Sequence, residues 1–62
     1  MHEAKFEIYK DRSGEYRWHL NAGNGKIIAD SAEGYTSEQS AVSGINLVKS
    51  LAPGAKIYKL NY

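Results

Sequence analysis

The hydrophobic pattern of this chain switches from a strand period to a helix period near Gly34. Before that point apolar residues alternate with polar ones, the period of a strand with one buried face; after it they recur at the spacing of a helix face. Three alternating runs precede the change, and a fourth extended run follows the helix. The order of elements therefore reads β-β-β-α-β. That is an α+β domain, an antiparallel sheet with one helix packed on one face.

The first run is Lys5 to Lys10, with Phe6 and Ile8 on one face and Lys5, Glu7 and Tyr9 on the other. The second is Glu15 to Ala22, where Tyr16, Trp18, Leu20 and Ala22 oppose Arg17, His19 and Asn21. The third is Lys26 to Ser31, with Ile27 and Ala29 on one face and Ile28 and Asp30 on the other. Turn chemistry separates them. A two-residue Ser13-Gly14 turn would place Ile8 opposite His19 and mix the faces. A three-residue loop, Arg12-Ser13-Gly14 with Gly14 left-handed, places Ile8 opposite Trp18 and Phe6 opposite Leu20, and the apolar pattern selects it. Asn24-Gly25 is the strongest short hairpin signal. As a two-residue loop it pairs Ala22 with Ile27, Leu20 with Ala29 and His19 with Asp30.

Thr36, with Gln39 three residues on, is expected to cap the helix as a capping box. Ala41, Gly44, Ile45, Leu47, Val48, Leu51 and Ala52 form one broad apolar stripe, which should cover Phe6, Ile8, Trp18 and Leu20. Pro53-Gly54 stops the helix. Ala55 to Tyr62 is expected as a fourth strand. Tyr58, Leu60 and Tyr62 share a face and Ile57 takes the other, as in a strand with neighbours on both sides.

Sixty-two residues make a single domain, 1–62, with no repeat or linker. A chain this short buries only about 60% of its unfolded surface. Disulfides, metals or partner subunits commonly supply what is missing. The chain has no cysteine and two histidines, His2 and His19, so neither a disulfide nor a closed zinc site is available. Self-association remains. A homodimer is expected, with the C-terminal strand crossing to the partner and Ile57, Tyr58, Leu60 and Tyr62 at the interface. The short Pro53-Gly54 hinge favours such an exchange.

Phe6-Glu7-Ile8-Tyr9-Lys10-Asp11, Gly14-Glu15-Tyr16-Arg17-Trp18, Leu20, Asn24-Gly25, Ile27-Ile28-Ala29-Asp30-Ser31, Glu33-Gly34-Tyr35, Gly44-Ile45, Val48-Lys49 and Ala52-Pro53 together resemble the YegP-like family of small bacterial proteins. These segments span nearly the whole chain. The resemblance implies a β(3)-α-β unit that occurs in pairs, as tandem repeats or as two chains, sharing a sheet and exchanging C-terminal strands. A single copy then implies a homodimer. Lys59 departs from the family pattern, which often has an acidic residue there. The family has no established activity, so no catalytic residue carries over.

The residues themselves point to no enzyme. No nucleophile-base spacing and no phosphate-binding glycine loop is present, and no catalytic, cofactor or metal residues are expected. Tyr9, Arg17, His19 and Ile28 form a candidate binding patch on the outer sheet face. Aromatic and basic groups there suit weak binding of single-stranded nucleic acid. Ordinary packing on a wet sheet face is the plainer reading, because Glu7 and Asp30 on the same face repel phosphate. His19, between Glu7 and Asp30, reads as part of a cross-strand charge ladder or as a pH-sensitive group. Eight basic and seven acidic residues leave a net charge of +1, a poor drive towards duplex nucleic acid or membrane. No signal segment is evident, and the cytoplasm is the expected location. The leading expectation is a homodimeric module that binds another protein or a small ligand.

Overall fold

A computed structural model describes residues 3–61. It contains three antiparallel strands, β1 (Lys5–Lys10), β2 (Tyr16–Asn21) and β3 (Ile27–Asp30). They are followed by helix α1 (Glu38–Leu51) and a 3-10 turn, Ala52–Gly54. The sheet order is β1-β2-β3, so β2 is central and the outer edge of β1 is unpaired among the described residues. The α+β class and the order of these elements agree with the hydrophobic periods.

The β1–β2 register is the one the faces select. Phe6 pairs with Leu20, Glu7 with His19, Ile8 with Trp18 and Tyr9 with Arg17. The Asp11 N–H donates to the Glu15 carbonyl at 2.8 Å, closing the three-residue loop, and Gly14 takes φ +88°.

The β2–β3 hairpin corrects the expectation. His19 pairs with Asp30 and Leu20 with Ala29, but Ile27 lies opposite Asn21 rather than Ala22. The Ala22 N–H donates to the Lys26 carbonyl at 2.8 Å, so the loop has three residues, Gly23 to Gly25. A two-residue loop of the favoured type would need Asn24 left-handed. Here Gly23 and Gly25 take the positive φ values, +102° and +87°, and Asn24 does not. The register is recovered by a bulge in which Ile28 is the extra residue between Ile27 and Ala29.

Beyond β3, Ser31 prolongs contact with the central strand. Its N–H donates to the Trp18 carbonyl at 2.9 Å, and its buried Oγ accepts from the Trp18 N–H at 3.2 Å. Residues 32–34 loop out, and Tyr35 returns to exchange two backbone hydrogen bonds with Tyr16, both 2.8 Å. This tie keeps the chain extended as far as Tyr35, and the helix starts one residue later than the Thr36 capping box requires. Ser37 is the cap, extended at φ −138° and ψ 155°, and its Oγ accepts from the Ser40 N–H at 3.1 Å. Ser37→Ala should therefore cost about 1 kcal/mol, and Thr36→Ala clearly less. Urea unfolding of the two variants distinguishes them, and the reverse order would restore the Thr36 cap.

The core is small. Trp18, Ala41 and Ile45 are buried, and Phe6, Tyr16 and Tyr35 pack against them. Gly44 admits the Tyr35 ring, since a Cβ there would collide with the Tyr35 hydroxyl end. The helix covers its sheet only in part. Phe6 and Leu20 are half-buried, Ile8 lies at the exposed border, and Leu47, Val48 and Leu51 face outward.

The fourth strand does not form among the described residues. Ala55 is extended at φ −74° and ψ 132°, but residues 55–61 pair with nothing among the described residues. A strand needs a neighbour to take its alternate hydrogen bonds, and this chain supplies none at that place. Tyr62, placed at its end by the sequence, lies outside the described residues.

Candidate functional site

The pleat sends Tyr9, Arg17 and His19 to the sheet face opposite the helix, where β1 and β2 set them side by side. The His19 Nε2 and Glu7 Oε1 are 2.8 Å apart, and the Asn21 side chain reaches the same Glu7 oxygen at 3.5 Å. Lys5 approaches the other Glu7 oxygen at 3.8 Å. The His19 hydrogen bond is the largest of the effects that hold the Glu7 carboxyl below its ordinary range. Tyr9 lies against the His19 ring, with centroids 5.3 Å apart and planes tilted by 35°. Asp30 is the lateral neighbour of His19 on β3 by register.

Arg17 turns away from this group. Its Nε donates to Asp11 Oδ2 at 2.6 Å. Asp11 Oδ1 accepts from the Ser13 Oγ at 2.6 Å, the Ser13 N–H at 2.9 Å and the Glu15 N–H at 3.0 Å. Asp11 is thus the hub of the first hairpin, the role a short acidic side chain plays in an Asx-turn. The sequence signal for it is an aspartate at the head of Asp11-Arg12-Ser13-Gly14, a residue order that favours a turn.

The Ser13 hydroxyl and then the Arg17 guanidinium stabilise the ionised Asp11 and hold its carboxyl well below the usual carboxylate range. A carboxyl depressed by folding stabilises the fold above its unfolded pKa, near 4. That contribution falls away as pH drops towards the folded value. The native protein should therefore lose stability progressively below about pH 4, and Asp11→Asn should lose less over the same range. Urea midpoints across an acid pH series measure this, and parallel profiles would remove Asp11 as the cause.

The patch gives single-strand binding no support. Its guanidinium is engaged by a carboxylate, and Glu7 and Asp30 flank the only imidazole among the described residues. Ile28, exposed, is the bulge residue of β3. Among the described residues no concave pocket forms, and no three metal-ligating side chains converge. No helix there is long and apolar enough to cross a membrane. Ile57, Tyr58 and Leu60 are all exposed.

The family model for a domain of unknown function, DUF1508, matches residues 11–58. The chain belongs to the DUF1508 family. Related proteins carry the UPF0339 label. One from Methanosarcina acetivorans is 51% identical over 57 residues, spanning 92% of this chain and 97% of the relative. YegP of Yersinia pestis is 42% identical over 57 residues, which make 92% of this chain but 50% of YegP. A protein from Haloferax volcanii with an NMR solution structure is 47% identical. It superposes with a TM-score of 0.89, covering 97% of this chain and 100% of that one. The YegP resemblance is thereby established. DUF1508 also reaches archaea, so a bacterial range is too narrow.

Proposed function

We propose that this DUF1508 domain works as a homodimer that binds without catalysis, the C-terminal segment of each copy joining the sheet of the other. One observation carries the reading: more large apolar side chains lie outside the fold than inside it. The buried core is Trp18, Ala41 and Ile45. Leu47 and Leu51 are 59% and 60% exposed, and Ile57, Tyr58 and Leu60 are 95%, 77% and 80% exposed. Scattered apolar residues on a surface are ordinary, whereas a helix face and an adjoining extended segment rich in them mark an interaction surface.

A second copy answers both needs at once. Among the described residues, the segment from Ala55 lacks a strand neighbour, and the outer edge of β1 lacks one too. Backbone pairing between them would satisfy both ladders and remove an exposed edge. YegP, of which this chain covers half, is long enough for two such units in one polypeptide, which favours a paired design. A cysteine-free domain asks nothing of an oxidising compartment, in keeping with a cytoplasmic location.

Sedimentation equilibrium at micromolar concentration tests the assembly. The expected mass is twice the 6.9 kDa of the chain. A stable monomer would overturn the dimer and the interaction role built on it.

A further inference from the structure

Asn24 lies at the centre of the β2–β3 loop and Asn21 at the end of β2 beside it, and the fold treats them oppositely. Each side chain accepts a hydrogen bond from the main-chain N–H two residues on: Asn24 Oδ1 from Lys26 at 3.1 Å, Asn21 Oδ1 from Gly23 at 2.8 Å. What differs is the nitrogen between. The Ala22 N–H donates to the Lys26 carbonyl at 2.8 Å, whereas the Gly25 N–H makes no hydrogen bond among the described residues. Gly25 is exposed, and a Cβ built on it would meet nothing within 4 Å.

We propose that Asn24 is a site of spontaneous deamidation in the native protein. The Gly25 main-chain nitrogen gives up its proton and attacks Asn24 Cγ. The new N–C bond closes a five-membered ring, and the tetrahedral adduct expels the amide nitrogen as ammonia, which carries away a proton. Water then opens either carbonyl of the imide. One opening leaves aspartate; the other leaves isoaspartate, with the main chain routed through the former side chain. Water enters, ammonia leaves, and nothing is oxidised or reduced.

The Lys26 N–H supports the step because it points at the oxygen on which negative charge develops. The missing side chain at Gly25 removes the steric barrier to attack. The other asparagines lack this combination. At Asn21 the attacking nitrogen is held in the hairpin, and alanine follows. Asn46 lies within α1, where the helical ladder occupies the next nitrogen. Asn61 is followed by the bulky Tyr62. The product changes the molecule in two ways. Its new carboxylate takes the formal net charge from +1 to zero, which favours self-association and precipitation. An isoaspartate also adds a methylene to the main chain of the three-residue loop that sets the β2–β3 register.

The test is to age the folded protein in mildly alkaline buffer, with a parallel sample in denaturing urea. Peptide mass spectrometry then locates the one-dalton gain, and isoaspartyl methyltransferase labelling detects isoaspartate; Asn24→Asp supplies the aspartate standard. The expected result is conversion at Asn24 at least about tenfold faster than at Asn21, Asn46 or Asn61, and no slower in the folded sample than in urea. Folded-state conversion slower than in urea by about tenfold, or conversion at Asn21 keeping pace with Asn24, would overturn it.

Discussion

Replacing Trp18 with alanine should cost roughly 3–5 kcal/mol, the loss typical of a large core aromatic. A chain of 62 residues has a total stability of roughly 3–9 kcal/mol by ordinary per-residue values. The variant should therefore lose a large part of the stability of the fold, and all of it where the parent lies at the low end of that range. Trp18 is 5% exposed on the central strand, beneath Ala41 and Ile45, with Phe6 meeting it edge to face at 5.5 Å between ring centroids. Its indole N–H is buried and finds no hydrogen-bond partner among the described residues. Trp18→Phe therefore removes volume without breaking a side-chain hydrogen bond and should cost much less, below about 3 kcal/mol. Urea unfolding followed by circular dichroism, at one fixed protein concentration, measures both. A loss below about 1 kcal/mol for the alanine variant would contradict the core position of Trp18, and equal losses for both variants would assign a polar role to the indole.

The parts of the fold legible in the sequence were those where two signals had to agree. Ile8 and Trp18 lie opposite each other because any other first loop would have turned apolar groups outward. The Asn24-Gly25 hairpin differs by one residue from a two-residue loop because Gly23 joins the turn. A second glycine beside the turn gives the loop another inexpensive conformation, and a bulge at Ile28 restores the pairing at Ala29. The helix cap was missed for a similar reason. Thr36 and Ser37 are both good caps, and the choice falls to a long-range tie, the Tyr16–Tyr35 pair, which local spacing does not contain. On the outer face, register was enough to bring Glu7 to His19 and Tyr9 beside Arg17. It did not reveal that Arg17 bends back to Asp11, because side-chain direction within a turn follows its hydrogen bonds rather than the period of the strand.

Deleting residues 57–62 should abolish dimerisation and lower stability in the same step. If the segment merely frayed in solvent, its removal would leave sedimentation and the urea midpoint unchanged, as for most unanchored termini. Its composition argues otherwise. Ile57, Tyr58 and Leu60, interleaved with Lys56 and Lys59, lie within six residues of the Pro53-Gly54 stop, and all three are exposed in the single chain. Fully burying side chains of this class is worth about 1.5–3 kcal/mol each, a large share of the stability available to so small a domain. In the proposed dimer that burial occurs against the partner, so stability depends on protein concentration and the two losses are coupled by mass action. The full-length chain should show a urea midpoint that rises with concentration; the shortened chain should show a low midpoint that does not. A shortened chain that remains dimeric would place the contact on Leu47, Val48 and Leu51 alone and refute the strand exchange. A shortened chain that is monomeric but as stable as the intact protein would separate assembly from folding and leave the small core sufficient by itself.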